Sequence, residues 1–452
     1  MELRRKCGSH IQDWYYNSGK ALLVTGARQV GKTHLIRSVL AEMHCDFVEI
    51  NLIETPAAVS VLQQADNADN LVLGLSTITG KSLQKGKTVI FIDEVQRYSE
   101  MITKIKFLVE EGSFRYILSG SLLGIELTGL SSAPVGYLSI LKMYPLDFEE
   151  FLQTSNIGKE GIHHLRDCFR KRTPVMDAVH TKMMEVFTRY LLVGGMPDAV
   201  SVYADTGNLN EVMQVHRDIA ELHKMDFTQY EEKNKKLLLT QVYDLVPQAL
   251  LKQNRRFVIT DLKKGLRFER VESTFLWLEK AGVVLPAYNV SEPKIPLMLN
   301  EKHSLFKLYH LDVGMLTSAY GMDTKRMLLS DDPHLNAGGI YENAIAQELF
   351  AKENALYYYN SNRLGELDFV VTYDGSPLAI EVKSGKDYTI HSAINHCLNN
   401  PSFAMKEAIV FSKANLSVKE RVTYLPVYMA MFLEQEKQSL ILDDVDFKDI
   451  RF

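Results

Sequence analysis

The chain has 452 residues, of which 46% are hydrophobic and 24% are charged, and this composition excludes collagen-like and intrinsically disordered proteins. Its 51 Lys and Arg residues stand against 56 Asp and Glu residues, so the net charge of -5 excludes a protein that is basic over its whole surface. At about 150 residues per domain, the length predicts several domains that can each bury a core.

The sequence also indicates where the protein works. No stretch approaches the roughly 18 consecutive apolar residues that a membrane helix needs. The N-terminus, MELRRKCGSHIQDWYY, lacks the apolar run of a signal peptide. The cysteines are widely spaced and form no C-x-x-C pair, which favours free thiols in a reducing compartment. We therefore expect a cytoplasmic protein without membrane association.

The first predicted domain covers residues 1–150, where short β-rich runs alternate with helical patterns. The runs are Ala21 to Thr25, Asp46 to Leu52, Thr88 to Glu94 and Arg115 to Ser121. This alternation is typical of a parallel α/β sheet with helices on its faces.

Three further segments follow, and changes of hydrophobic period mark their boundaries. Residues 151–235 are mainly amphipathic helix and predict a helical lid. Residues 236–300 give candidate helices followed by the strand-like run VVLPAYNV, a pattern that resembles a winged helix. Residues 301–452 combine a helix with the strand-like runs ELDFVVTY and PLAIEVKSG, which predicts a second, C-terminal α/β domain.

The strongest motif is GARQVGKT, from Gly26 to Thr33, which fits G-x-x-x-x-G-K-[ST] and directly follows the first strand. Such a loop points backbone N–H groups and the positive end of a helix at a phosphate. Lys32 would reach the β- and γ-phosphates, and Thr33 would place its hydroxyl on Mg²⁺. The predicted nucleotide-binding residues are Gly26, Ala27, Arg28, Gln29, Val30, Gly31, Lys32 and Thr33.

A second motif is the apolar strand Val89 to Ile92, which ends in Asp93 and Glu94. In P-loop ATPases, an Asp at this position holds the Mg²⁺ shell, and an adjacent Glu orients and deprotonates the attacking water. The alternative is that both side chains lie in a solvated loop. A further strand ends in the segment Ser119 to Ser121, where a polar side chain could sense the γ-phosphate, although a plain turn is an equal alternative.

The winged segment carries local positive charge despite the negative total. Its basic residues are Arg255, Arg256, Lys263, Lys264, Arg267 and Arg270. These side chains could contact the phosphates of DNA. The neighbouring Glu269, Glu272 and Glu279 dilute the charge, so packing or binding of a protein partner is the alternative.

The C-terminal domain contains the sequence GELDFVV followed by AIEVKSG, which together indicate a β-hairpin. Period two places Glu381 and Lys383 on one face, and the hairpin can bring Asp368 beside them. In the restriction-endonuclease-like fold, two carboxylates bind a divalent metal and a lysine activates water. Glu342 could add a carboxylate. The alternative is an ion pair between strands without catalysis.

Together these motifs resemble a family of bacterial and archaeal AAA-type ATPases that join a P-loop domain to a C-terminal nuclease-like domain. The matching segments occur in the family's order: GARQVGKT, IFIDEVQR, LSGS, YPLDFEEF, LLVGGMPDAV, GELDFVV and AIEVKSG. The resemblance implies ATP as the nucleotide, Lys32 and Thr33 at the phosphates and Mg²⁺, and Asp93 and Glu94 as the acidic pair. It implies no defined biological task.

One departure from the family concerns the arginine that relatives commonly carry after the glycine before the YPL segment. Here Gly136 is followed by Tyr137, so a charge that could touch the γ-phosphate is missing. An arginine that acts on the transition state is worth about 10³ to 10⁵ in rate. Arg97 and Arg115 are candidate replacements, and each could equally be a surface residue.

Three classes of function follow from these observations. The first is an ATP-hydrolysing machine or switch, in which a neighbouring subunit of a homo-oligomer could complete the site. The second is a nucleic-acid enzyme with a metal-dependent C-terminal nuclease site. The third is a nucleotide-gated binding protein without turnover, an alternative that Tyr137 favours.

Overall fold

The structure is a computed structural model, which describes residues 3–434 apart from residues 66, 99, 122–135, 156 and 231–232. Helices alternate with short strands in its first part. The elements are α1 Gly8–Asn17, β1 Ala21–Thr25, α2 Lys32–Glu42, β2 Phe47–Asn51, α3 Pro56–Gln64, α4 Ala68–Thr79, β3 Val89–Asp93, α5 Glu100–Glu111, β4 Arg115–Gly120 and β5 Leu138–Lys142.

Within the described residues, five of these strands form a parallel sheet in the order β2-β3-β4-β1-β5. Every residue of β1 and β3 is buried, because helices cover both faces of the sheet. Alternate residues of β1 enter different hydrophobic clusters: Leu22 and Val24 join one, and Leu23 joins the other. The predicted parallel α/β sheet is confirmed, and it brings the carboxyl ends of β1, β3 and β4 to one edge.

A helical region follows the first sheet, as the sequence predicted. Its helices are α6 Phe148–Phe151, α7 Lys159–Lys171, α8 Asp177–Val193, α9 Pro197–Thr206, α10 Leu209–Tyr230, α11 Lys233–Leu251 and α12 Glu272–Lys280. None of the helices in the described ranges combines the length and the apolar character that a bilayer crossing requires.

The last part of the chain contains a second, mixed sheet. Its elements are β6 Val284–Val290, β7 Glu301–His310, α13 Val313–Tyr320, α14 Met322–Leu329, α15 Gly338–Ala351, β8 Leu356–Ser361, β9 Gly365–Tyr373, β10 Ser376–Val382, α16 Ser392–Leu398, β11 Ala408–Ser412, β12 Ser417–Lys419 and β13 Val422–Pro426. The described strands pair in the order β12-β13-β11-β10-β9-β8-β6-β7. The predicted C-terminal α/β region is therefore present.

The hairpin of β6 and β7 connects the predicted winged segment to this sheet. α12 and the hairpin have the order helix, strand, strand, but β6 also pairs in parallel with β8. The hydrogen bonding of the second sheet thus continues through the hairpin. The boundary that the sequence predicted at residue 300 falls inside the hairpin.

One hydrophobic cluster joins the two sheets through the helical region. It contains Phe91 of β3, Phe187 of α8 and Phe369 of β9. A buried hydrogen bond accompanies this packing, since the backbone N–H of Phe148 donates to Glu348 Oε1 of α15 at 2.6 Å. The helical region and the second sheet therefore pack against each other and against the first sheet.

Candidate functional site

The loop after β1 has the conformation that its glycines allow. Gly26 has φ 151°, and a Cβ atom there would lie 2.2 Å from the carbonyl oxygen of Met143. Gly31 adopts a left-handed conformation, with φ 89°, immediately before α2 begins at Lys32. Side chains at these positions would be strained or would clash with the backbone. The loop therefore curls at the N-terminus of α2, where N–H groups favour an anion.

Lys32 and Thr33 extend from the first turn of α2 to opposite parts of this site. Lys32 Nζ donates hydrogen bonds to the carbonyl oxygens of Gly26 and Ala27, at 3.1 and 2.8 Å. Burial lowers the pKa of Lys32 to about 8, although the Glu94 and Asp93 carboxylates act to raise it. The ammonium group is thus held inside the loop by neutral acceptors that a phosphate oxygen can replace.

Asp93 lies at the end of β3, directly opposite the first turn of α2. The hydroxyl of Thr33 donates to Asp93 Oδ2 at 2.9 Å, and the Asn51 amide donates to the same oxygen at 3.4 Å. The Ser119 hydroxyl, at the end of β4, hydrogen-bonds to Asp93 Oδ1. The structure thus brings Thr33 and Asp93 together as the sequence predicted, and it places Ser119 against Asp93.

Glu94 directly follows this strand, in a left-handed conformation with φ 58°. Its backbone N–H donates to Asp93 Oδ1 at 3.0 Å, and its carboxylate accepts a hydrogen bond from the Gln96 amide. Gly120 lies beside this amide, and a Cβ atom there would lie 2.4 Å from Gln96 Oε1, so a larger residue would displace the Gln96 side chain. Gln96 therefore orients Glu94, a role that the sequence did not suggest.

Asp226, near the end of α10, is a further residue of the site that the sequence did not reveal. Its carboxylate forms an ion pair with Arg28 of the loop, with Nε and Oδ2 2.5 Å apart. Burial raises the pKa of Asp226 to about 6, an effect that Arg28 opposes and Glu94 reinforces. No sequence signal identifies it, because the contact depends on how the helical region folds back over the loop.

The segment before β1 also supports the loop. Arg5 donates to the carbonyl oxygens of Val30 and Tyr144, at 3.2 and 2.7 Å, and forms an ion pair with Glu150 at 3.1 Å. A cavity of about 600 Å³ opens beside these residues. Its walls come from α1, α2 and α9, and include Ser9, Gly31, Leu35, Met143 and Pro197. The cavity thus adjoins the phosphate loop at Gly31.

The candidate arginines and Tyr137 occupy different edges of the first sheet. Arg115 is the first residue of β4, and its guanidinium donates to the carbonyl of Ser18 at 2.7 Å, at the edge opposite the loop. Tyr137 lies at the same far edge, since its carbonyl accepts from the N–H of Ala21. Arg97 is exposed and follows Glu94 closely. Neither Arg115 nor Tyr137 can reach the loop of its own chain.

The predicted nuclease residues do come together in the C-terminal sheet. The register of β9 and β10 places Glu381 across from Asp368, and the N–H of Val382 donates to Asp368 Oδ2 at 2.8 Å. Lys383 Nζ lies 2.5 Å from Glu381 Oε1. Burial and the Asp368 carboxylate raise the pKa of Glu381. Strand pairing thus forms the predicted cluster.

Cations of the chain neutralise this cluster. Glu342 is fully buried, accepts from the Tyr309 hydroxyl at 3.0 Å and pairs with Arg255. Lys307, also fully buried, lies 2.8 Å from Glu366, 3.7 Å from Glu342 and 3.8 Å from Asp368. Each of these carboxylates therefore has a cationic partner, which would compete with a divalent metal for it.

No group of three His, Cys, Asp or Glu side chains suited to a metal ion occurs in the described part of the chain. This finding bears differently on the two candidate sites. Mg²⁺ at a nucleotide uses only one or two protein oxygens together with phosphates and water, and the Thr33 hydroxyl beside Asp93 fits that requirement. A metal at the second site would be held by Asp368 and Glu381, and Lys307 and Lys383 would compete with it for these carboxylates.

Comparison with known families identifies the type of domain in the first region. Residues 18–152 match the model of an AAA domain. This region has the P-loop NTPase fold. Residues 184–326 and 337–429 match models that are each described as a domain of unknown function. No protein with a curated description matches the chain.

Solved structures show only distant similarity. A Walker-type ATPase of Pyrococcus abyssi is 16% identical with a TM-score of 0.40, and the match covers 71% of this chain and 96% of that one. Cdc6p from Pyrobaculum aerophilum is 10% identical with a TM-score of 0.25, covering 73% and 96%. The Pif1 helicase from Candida albicans is 14% identical with a TM-score of 0.24, covering 41% and 48%. Similarities this distant carry no information about activity.

Proposed function

We propose that the chain binds ATP with Mg²⁺ at the loop from Gly26 to Thr33 and hydrolyses it, as an ATP-driven machine or switch. The observation that carries this proposal is the hydrogen bond of 2.9 Å between the Thr33 hydroxyl and Asp93 Oδ2, beside a lysine held in the loop. The AAA-domain match of residues 18–152 supports it independently.

Each residue has a distinct task in this proposal. The backbone N–H groups of Arg28, Gln29 and Val30 bind phosphate oxygens, and Lys32 neutralises their charge. The Thr33 hydroxyl and Asp93 hold Mg²⁺, which polarises the phosphoryl group when it is bound. Glu94, oriented by Gln96, would position the attacking water and accept its proton.

The cavity beside Gly31 supports the assignment of a nucleotide rather than a smaller phosphate ligand. Its volume of about 600 Å³ lies within the range of sites that bury small ligands. Apolar walls from Leu35, Met143 and Pro197 suit the face of a base. The nucleoside would therefore lie between α1, α2 and α9, while the phosphates lie in the loop.

Release of phosphate from ATP, measured with the full chain, tests the proposal. We expect Mg²⁺-dependent turnover that Lys32→Ala and Glu94→Gln abolish, while Lys20→Ala, which changes an exposed lysine before β1, leaves it unchanged. Binding of ATP is measured in parallel. Tight binding without release of phosphate would contradict hydrolysis and favour a nucleotide-gated binding protein.

The position of Tyr137 supports a proposal about assembly. Tyr137 lies at the edge of the sheet away from the loop, where a residue could contact the nucleotide of a neighbouring molecule but not that of its own chain. We therefore propose that the chain forms homo-oligomers when ATP is bound. Sedimentation velocity with and without ATP tests this, and a monomer under both conditions would contradict it.

A second candidate is action on nucleic acid, which the exposed basic residues around α12 favour. These residues are Lys263, Lys264, Arg267 and Arg270. Their charge-reversed variants should weaken DNA binding at low salt, with Lys280→Glu on α12 as a matched control. Stimulation of ATP turnover by DNA would connect this surface to the loop. The proposed nuclease site is tested by metal-dependent cleavage of DNA or RNA, which Asp368→Ala and Lys383→Ala must both abolish.

A further inference from the structure

The end of α10 contacts the phosphate loop through an ion pair, and the imidazole of His223 on the same helix lies against the backbone of Arg28. Arg28 is the third residue of the loop, and its Nε lies 2.5 Å from Asp226 Oδ2. The side chains are 30% and 15% exposed, so water screens the pair only partly. The side chain of Arg28 in the loop is thus bound to α10 of the helical region.

The position of Asp226 is electrostatically unfavourable apart from this pair. Its other oxygen, Oδ1, is buried without a hydrogen-bond partner among the described residues. Its carboxylate is close enough to Glu94 and Lys32 for their charges to shift its pKa. His223, one turn earlier on α10, has a pKa lowered to about 4 by burial and so is neutral at pH 7. Arg28 is therefore the main counter-ion that holds Asp226 at the loop.

We propose that Arg28 and Asp226 form a charge switch through which the terminal phosphate of a nucleotide is sensed by α10. The inference rests on the proposed binding of ATP at the same loop. Arg28 exchanges its carboxylate partner for the terminal phosphate, and α10 loses the ion pair that joins Asp226 to the loop. Arg28 then supplies, from within the chain, the arginine that is missing at Tyr137.

The chemistry of both groups supports this exchange. A guanidinium binds carboxylate and phosphate with the same planar arrangement of N–H donors, and its Nε forms the ion pair with Asp226. Asp226 lies near Glu94 and Lys32, the residues assigned to the γ-phosphate end of the site. A terminal phosphate there attracts Arg28. A diphosphate lacks that group and leaves the pair intact.

The contacts of α10 explain how the exchange can reach the rest of the molecule. His216, buried on the same helix, hydrogen-bonds to the Ser318 hydroxyl of α13 at 2.7 Å. α13 in turn begins at the cap residue Asp312, which accepts from the N–H of Gly195 before α9. A displacement at the end of α10 therefore acts on helices that pack against both sheets.

Nucleotide affinities of the full chain test the switch, measured by titration calorimetry with Mg·ATP and Mg·ADP. Arg28→Gln should lower the preference for ATP over ADP by roughly tenfold, and Asp226→Asn should raise it by a similar factor. Asp244→Asn is the matched control. It removes the partner of Lys224, 3.0 Å away, between α10 and α11, and should leave the preference unchanged.

The double variant and hydrogen exchange separate a switch from a merely structural ion pair. Because Asp226 competes for Arg28, Asp226→Asn should have little effect in a chain that already carries Arg28→Gln. ATP, but not ADP, should speed amide exchange at residues 221–230 of the parent. In Asp226→Asn, exchange there should be fast without nucleotide.

The outcomes distinguish this inference from the proposal on which it rests. If the parent binds ATP and both single variants keep its ATP to ADP ratio, the charge switch is wrong and the nucleotide site stands. Additive effects of the two substitutions would also overturn the switch, since they would show independent contacts. If the parent binds neither nucleotide, both proposals are wrong.

Discussion

Two regions of this molecule place carboxylates beside lysine at the ends of β-strands, and they differ in what balances the charge. In the first sheet, neutral groups surround Asp93: the hydroxyls of Thr33 and Ser119, the Asn51 amide and the N–H of Glu94. In the second sheet, ammonium and guanidinium groups surround Asp368 and its neighbours. The first region can still accept a cation, whereas the second supplies its own.

This difference shows that the identity of acidic residues is a weak guide to chemistry without their partners. Hydroxyl and amide donors orient a carboxylate and leave its charge available to a metal. A buried lysine such as Lys307 cancels that charge and replaces the metal electrostatically. The comparison therefore predicts function at Asp93 and Glu94, and structural cohesion at Glu342, Glu366 and Asp368.

The largest expected effect concerns Glu94, which we propose positions the attacking water. Glu94→Gln keeps the shape of the side chain but removes the proton acceptor, so ATP turnover should fall by about 10² to 10⁴ while ATP binding persists. Glu110→Gln is the control, because Glu110 lies on α5 and accepts a hydrogen bond from Tyr137 at the opposite edge of the sheet. If the Glu94→Gln variant still hydrolyses ATP, Glu94 is not catalytic, and the proposed difference between the two regions is wrong.

The next effect concerns stability, and it tests the structural role of the second cluster. Lys307→Met removes a fully buried cation and leaves Glu366 and Asp368 without their ammonium partner. The free energy of unfolding should fall by about 3 to 5 kcal/mol, measured by urea denaturation. Arg256→Gln breaks a pair with Glu366 that is 33% and 25% exposed, so it should cost about 1 kcal/mol or less. Equal losses for the two variants would contradict the argument.

The two regions also differ in how much of them could be predicted from sequence. The loop from Gly26 to Thr33 is contiguous, so its motif, its strand and its helix could all be predicted together. Lys307 lies in β7 between Phe306 and Leu308, and only the tertiary structure shows that this charged side chain is fully buried. Asp226 is one of several charged residues on α10, and no periodicity distinguishes it. Contacts that depend on tertiary packing leave no local signal.

The next prediction concerns the pH dependence of ATP binding at Lys32. Its ammonium group donates to backbone carbonyl oxygens and, among the described residues, not to a carboxylate. Burial lowers its pKa to about 8, so the chain alone loses this charge as the pH rises above 8. A bound phosphate favours the charged form, and affinity for ATP should therefore fall by about fivefold between pH 8 and pH 9. Calorimetry in buffers of different ionisation enthalpy measures the accompanying proton uptake.

Lys32→Arg provides the control for this effect. A guanidinium stays charged over the whole range, so the variant should bind ATP with an affinity that does not change between pH 7 and pH 9. If the affinity of the parent chain for ATP is also constant between pH 7 and pH 9, Lys32 stays charged over this range. That result would remove one of the differences between the two regions.

The smallest expected effect tests whether the second cluster is neutral because its own cations balance it. Lys383 is the partly exposed partner of Glu381, and Lys383→Gln leaves Glu381 and Asp368 with less positive charge nearby. We expect millimolar Mn²⁺ to raise the thermal midpoint of this variant by about 2 °C and to leave the parent unchanged. Lys386→Gln, at an exposed position beyond β10, is the control. If instead Mn²⁺ stabilises the parent and Asp368→Asn abolishes the effect, the cluster is a metal site and the nuclease interpretation regains its support.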